Sequence, residues 1–232
     1  TYMVEEAEKY PDVNFVAMTG DFAAISDLDN FYNAFTAVYQ SRYVSGVVAG
    51  MKIKDLVESG TLTPETQPDS FTADGKVKIG YVGAYNYAEV VSGYTAFFLG
   101  VQSIVPDVSM EVQYTNSWFN ITAEAEAANT LMSRGCCIIS QHADSMGAPT
   151  ACETAGVPNV SYNGSTYSEC PETFIISSKI DWTPYFKYII AQTAKGEAIA
   201  KDWCGDLKTG SVALTNIGGA AAEGTLAKLT QV

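Results

Sequence analysis

The chain is 232 residues long, 47% apolar, and carries a formal net charge of −13. That length suits one large or two modest α/β domains with a substantial core. The excess of 26 Asp and Glu over 13 Lys and Arg disfavours nucleic acid and anionic lipid, which both need cations to meet phosphate.

Taken alone, the acidity reads as a solubility device. No run reaches transmembrane length and no leader-like segment opens the chain, so a secretion signal is expected upstream of Thr1. Thr1 to Tyr10 reads as an amphipathic helix, with Met3, Val4 and Ala7 set against Glu5, Glu6, Glu8 and Lys9. Pro11-Asp12 ends it, and Val13 to Met18 follows as a strand. A parallel αβ unit needs a strand before its helix, so upstream strands of a first lobe are expected before Thr1.

A second short strand spans Asn30 to Thr36. A helix then runs from about Tyr39 to Glu58, with Tyr43, Val44, Val47, Val48, Met51 and Leu56 on its apolar face. Ser59 to Lys76, rich in Gly, Pro, Thr and Asp, reads as a linker. From Val77 the elements alternate: strand 77–82, helix 87–104, strand 108–115, helix 121–134, strand 136–141 and helix 146–155. Strands 157–162 and 173–180, helix 183–200 and a short strand at 211–215 complete the series.

Such alternation predicts an α/β fold of parallel sheets flanked by helices. The linker divides it into an incomplete first lobe (1–75) and a second lobe (76–180), with 181–232 as hinge crossover and return segment. Two lobes around a crevice predict a hinge-closing binder.

Four apolar strands end in clusters of aromatic and hydrogen-bonding residues: Tyr114–Phe119, Ser140–Ser145, Ser161–Gly164 and Asp181–Phe186. In an open α/β sheet, ligands bind beyond the carboxyl ends of the strands, so these clusters predict one small-molecule site. Trp118 has two readings, a structural side chain on the sheet edge or a stacking face for a ligand. Asn116, Ser117 and Asn120 beside it favour the second, for a planar heterocycle or a sugar. Trp182, just before Pro184, is the member of its aromatic group that should face the crevice. Tyr85 fits core packing and ligand contact equally.

His142 is the only histidine. With Asp144 and Ser145 it forms H-x-D-S, but near-consecutive residues do not converge as a catalytic triad does, so no catalytic residue is assigned. Asp144 or Ser145 is expected to cap the helix near Met146 while His142 faces the crevice. Cys136 and Cys137 fall in a strand as buried thiols. Cys152 and Cys170 could pair in a secreted protein, which would leave Cys204 alone. Without CxxC or a second histidine no metal is expected, and without a phosphate loop no nucleotide triphosphate. No cofactor is assigned.

The stretches KYPDVNFVAMTG, FTAVYQSRYVSGVVAG, KIGYVGAYNYAEVVSGYTAFFLGVQSIVPDV, YTNSWFN, SQHADS and IDWTPYF resemble the basic membrane protein (BMP) family, over almost the whole chain. That family comprises solute-binding lipoproteins of ABC importers with a two-lobed type 1 periplasmic-binding fold. The resemblance implies a non-enzymatic receptor at the cell surface or in the periplasm. It would clamp a purine base or nucleoside, present it to an ABC permease, and meet the membrane only through an upstream lipid anchor. About three first-lobe strands would precede Thr1, bringing part of the pocket, including an aromatic.

By matching position, Asn116 and Trp118 would line the pocket, His142 and Asp144 would make polar contacts at its base, and Trp182 would approach from the hinge. Thr19 and Gly20 occupy the matching strand end of the first lobe. Many relatives carry an Asp after the next strand, for ribose hydroxyls. This chain reads Ser161-Tyr162-Asn163-Gly164-Ser165, with Asn163 at that end, which leaves a free base or an altered ligand open. A sugar or other small polar solute, or an enzyme on the same sheet, are the competing readings.

Overall fold

The computed structural model describes residues 2–231. Thr1, which the sequence places in the first helix, and Val232, the end of the return segment, lie outside the described residues. The chain forms two compact units, Thr1–Val38 with Ile180–Ala213 and Tyr39–Lys179 with Leu214–Val232.

In the first unit, helix α1 (Tyr2–Lys9) lays Met3, Val4 and Ala7 against Ala23 and Phe31, so the expected amphipathic face is the buried one. Three carbonyls around the end of α1 converge on one side chain. The Asn30 amide donates to Ala7, Tyr10 and Val13 at 2.9, 3.0 and 2.9 Å. Strands β1 (Phe15–Met18) and β2 (Phe31–Thr36) pair in parallel, and β8 (Asp202–Gly205) adds to β2 to give the order β1-β2-β8.

The sequence reading missed β8, because four residues reading DWCG carry no apolar alternation and owe their strand to β2. The preceding helix α6 (Thr183–Lys195) starts where the Asp181 carboxylate accepts the Thr183 N–H at 2.9 Å. It stops at Gly196, left-handed at φ 68°, rather than running to residue 200.

The second unit holds α2 (Tyr39–Glu58), β3 (Val77–Gly83), α3 (Ala88–Gln102), β4 (Val108–Tyr114), α4 (Ile121–Ser133) and β5 (Ile139–Gln141). It continues with α5 (Gly147–Ala155), β6 (Asn159–Tyr162), β7 (Phe174–Ile180) and a short α7 (Thr225–Leu229) that the sequence did not announce, while β9 (Val212–Leu214) spans the point where the chain passes from the first unit to the second. The sheet order is β4-β3-β5-β6-β7-β9, and the pairs from β4 through β7 are parallel. Neighbouring residues divide between its two faces. Tyr81, Cys137 and Ile138 join one apolar cluster, whereas Val82, Cys136 and Ile139 join the other.

Helix α2 lies against α3 with backbone touching backbone. A Cβ built on Gly46 would stand 2.1 Å from the Phe97 carbonyl oxygen, and one on Gly100 would stand 2.1 Å from that of Tyr43. This contact assigns α2 to the second unit. The division therefore falls after Val38 and not in the 59–76 segment, which folds within the second unit as a loop with one 3-10 turn at Pro68–Ser70. The buried surface of α2 is also wider than a stripe of large apolar residues, since it includes Ser41, Arg42, Ser45 and Gly46 while Tyr43 is exposed.

Cys136 and Cys137 precede β5 instead of lying in it, because only Ile139–Gln141 pair with neighbours. Burial pushes both thiols up to about 12. Cys152 and Cys170 are buried free thiols, so the disulfide considered for them does not form, and Cys204 is free as well. Among the described residues no helix is long and apolar enough to cross a membrane.

Candidate functional site

The order β4-β3-β5 places a topological switch between β3 and β5. The chain leaves β3 to one side for β4 and later returns to its other side as β5. Loops leaving the carboxyl ends of two such strands separate and open a crevice there. Three predicted residues sit around this point: Tyr85 after β3, Trp118 after β4 and His142 directly after β5. The His142 N–H donates to the Val82 carbonyl at 2.8 Å, which stitches the switch closed at the backbone.

The aromatic side chains form a continuous row. Ring centres are 5.4 Å apart for Tyr85–Trp118, 6.3 Å for Trp118–His142 and 4.5 Å for His142–Tyr162, each pair inclined by 50–60°. Beyond Tyr162, the Arg42 guanidinium carbon stands 4.0 Å from that ring centre. Trp118 is 41% exposed and Tyr85 36%, so one end of the row is an open flat face. His142, by contrast, is 1% exposed, so it lies inside the row and does not open onto solvent as expected.

Backbone geometry supports the strand-end loops as specialised. The non-glycine residues with positive φ among those described are Thr19 (61°), Asn116 (54°) and Asn163 (65°), all candidates from the sequence. Asparagine tolerates this left-handed region, whereas a β-branched Thr there carries strain of about 1–3 kcal/mol. The Asp144 N–H donates to the Trp118 carbonyl at 2.8 Å, joining the β4 and β5 loops. The Asp144 carboxylate accepts a hydrogen bond from Asn163, which joins the β6 loop to them; loss of solvent raises its pKa against the lowering effect of that bond.

A second brace runs through the buried Glu124. Its carboxylate accepts the Asn120 N–H at 2.9 Å and the Ser145 N–H at 3.1 Å. Asn120 caps α4 by accepting the Ala123 N–H at 3.0 Å. Neither of the two expected residues is the N-cap of α5, which is Met146 and makes no side-chain cap bond; the Ser145 hydroxyl, one place upstream, accepts the Gly147 N–H at 3.1 Å.

Thr19, Gly20 and Trp182 belong to the first unit. Thr19 follows β1 and donates its N–H to the Ala34 carbonyl at 2.7 Å. Gly20 turns so tightly that an added Cβ would meet that of Ala17 at 2.5 Å. Trp182 is half-buried before α6, while Tyr185 is fully buried, 4.8 Å from the Trp203 ring, and is the core member of its aromatic group.

Sequence reading took Asn163 from the β6 cluster and passed over Tyr162, the ring in contact with His142. It also missed Arg42 and Glu89. The available signal for Arg42 was a single cation in a stretch of α2 otherwise made of small and apolar residues. Glu89, in the first turn of α3, places Oε1 3.9 Å from His142 Nε2. A depression of about 500 Å³ lined by Cys136, Cys137, Pro158 and Glu172 has no aromatic ring in its wall, so it offers no comparable surface.

Burial pushes the His142 imidazole down to about 4, helped by the Arg42 cation and opposed by Glu89. The unfolded value is near 6.5, so between about pH 6.5 and 4 the unfolded chain holds the extra proton. The contribution of the buried neutral ring is therefore complete above about pH 6.5. It is lost as the pH falls toward 4, by a total on the order of 3 kcal/mol. Urea midpoints measured against pH should show this falling limb, and His142→Gln should flatten it; an unchanged limb in the variant would contradict the assignment.

The chain matches the family model described as ABC transporter substrate-binding protein PnrA-like over residues 2–223. It is 33% identical over 213 residues to a purine-binding protein of Brucella abortus, an alignment covering 90% of this chain and 53% of that one. It is 31% identical over 208 residues to a Haloferax volcanii protein provisionally named an ABC transporter glucose-binding protein, covering 90% and 47%. The chain thus spans about half the length of these curated relatives.

Among solved structures, an ABC transporter solute-binding protein from Conexibacter woesei superposes with a TM-score of 0.68 at 22% identity, covering 99% of this chain and 70% of the other. A transcriptional activator of the comK gene from Bacillus halodurans reaches 0.72 at 17%, covering 99% and 72%. At these identities the likeness is one of fold, the type 1 periplasmic-binding architecture, which hosts receptors and regulators alike. With the family model spanning nearly all of its length, this chain belongs to the PnrA-like ABC transporter substrate-binding proteins, the Bmp family.

Proposed function

We propose that this chain acts outside the cytoplasmic membrane as the solute-binding part of an ABC importer and that its ligand is a purine base or nucleoside. The observation that carries this reading is the row Tyr85–Trp118–His142–Tyr162 at the carboxyl ends of four adjacent parallel strands. A neutral bicyclic ring gains most by leaving water against aromatic faces, and its edges need only a few directed partners. Asn116, Asp144 and Asn163, beside the row, supply donors and acceptors of that kind. Trp182, Thr19 and Gly20 are proposed as further contacts carried by the first unit. The permease is the partner this role requires.

The Brucella relative's name supports the purine reading. The Haloferax relative's name supports a second, a monosaccharide stacked on Trp118 with Asp144 and Asn163 taking hydroxyls. Isothermal titration with adenine, guanine, hypoxanthine, their nucleosides and glucose separates the two. At least one purine is expected to bind while glucose gives no heat, with affinity nearly independent of salt because no ligand phosphate is neutralised. Binding of glucose without any purine would replace the first reading by the second.

A further inference from the structure

Arg42 is fully buried, and its Nε, Nη1 and Nη2 have no hydrogen-bond partner among the described residues. The same holds for both ring nitrogens of His142 and for the hydroxyl of Tyr81. These groups surround one ring. The Arg42 guanidinium lies 4.0 Å from the centre of Tyr162 and 5.8 Å from that of Tyr81, and His142 lies 4.5 Å from Tyr162 on centroids. Gly93 of α3 leaves them room, since a Cβ there would come within 2.9 Å of His142 Nδ1 and 3.8 Å of Arg42 Cγ.

Stacking on Tyr162 engages only the face of the guanidinium. Its five N–H groups point outward in the plane, and a buried cation without acceptors for them is strongly disfavoured. The cluster is therefore rich in donors: five from Arg42, one from Tyr81, and one donor with one acceptor from a neutral His142. The Glu89 carboxylate beside His142 adds acceptors. Such a set matches a group presenting a carbonyl oxygen next to a ring N–H.

We propose that Arg42, with His142, reads the lactam edge of the ligand and selects 6-oxopurines over 6-aminopurines. The inference rests on the purine reading and specifies its edge chemistry. The oxo group accepts from Arg42, and the neighbouring ring N–H donates to His142 or Glu89. An aminopurine reverses this polarity, presenting an amine to the guanidinium and leaving the buried donors unpaired. Sites built to hydrogen-bond one polarity reject the other strongly.

The test is titration of the full chain with hypoxanthine and adenine, in wild type and in Arg42→Met. Hypoxanthine should bind the wild type at least about tenfold more tightly. Arg42→Met should lose about tenfold to hundredfold of the hypoxanthine affinity and less than about threefold of the adenine affinity. Its thermal midpoint without ligand should be unchanged or higher, because replacing an unpaired buried charge by an apolar side chain is often neutral or stabilising.

Equal binding of the two bases, or a preference for adenine, overturns the inference and leaves the purine reading standing. Equal losses for both bases in Arg42→Met do the same. Collapse of that variant's fold would make Arg42 a packing residue and also overturn it. Failure of every purine to bind removes the purine reading itself.

Discussion

Gly100→Leu is expected to unfold the unit built from Tyr39–Lys179 and Leu214–Val232. The new Cβ would stand 2.1 Å from the Tyr43 carbonyl oxygen and 2.9 Å from the Val47 amide nitrogen, both backbone atoms of a buried helix. Neither can move aside as a flexible side chain would, so α2 must separate from α3 and expose Val47, Val48, Phe97 and Val101, all buried at that contact. Overpacking a close-packed core costs about 1–3 kcal/mol when neighbours can adjust, and a loss of about 3 kcal/mol or more is expected where they cannot. A urea titration followed by far-ultraviolet circular dichroism reads this as a lowered midpoint. Gly164→Ala is the matched control: nothing lies within 4 Å of its Cβ position, and it should stay within about 0.5 kcal/mol of wild type. A Gly100→Leu chain as stable as that control would show that the two helices do not touch.

The second large effect concerns binding. Trp118→Ala should weaken a bound purine by about tenfold to a hundredfold, the worth of one base stacked on one aromatic side chain, about 1–3 kcal/mol. Trp118 is 41% exposed, so the thermal midpoint without ligand should hardly change. Trp118→Phe keeps a flat ring and should recover part of the loss. If Trp118→Ala lowered stability and left affinity intact, the side chain would be a sheet-edge packing residue, the alternative open from the sequence.

Much of the architecture was legible because its signals are local. The amphipathic pattern of α1 and the alternation from Val77 onward depend on residues a few places apart. Three candidate strand-end residues, Thr19, Asn116 and Asn163, occupy left-handed backbone, which no local pattern in the sequence had indicated. Where the reading failed, the missing information was not local. β8 is a strand because β2 lies beside it, and Cys136 and Cys137 precede β5 because pairing with β3 and β6 starts only at Ile139. The Ser59–Lys76 segment has the composition of a linker yet joins elements of one unit, since the contact of α2 with α3 is made by glycines whose partners the sequence does not name.

The site divides along the same line. Sequence alone determined the family, the parallel α/β alternation and the placing of Tyr85, Trp118, His142 and Asp144 at strand ends, because periodicity and motif reside in neighbouring residues. Only the tertiary structure decided that the switch lies between β3 and β5, that Tyr162 is the ring meeting His142, and that Arg42 from a distant helix stacks upon it. A buried charge takes its meaning from partners far away in the chain, and folding alone brings them within reach.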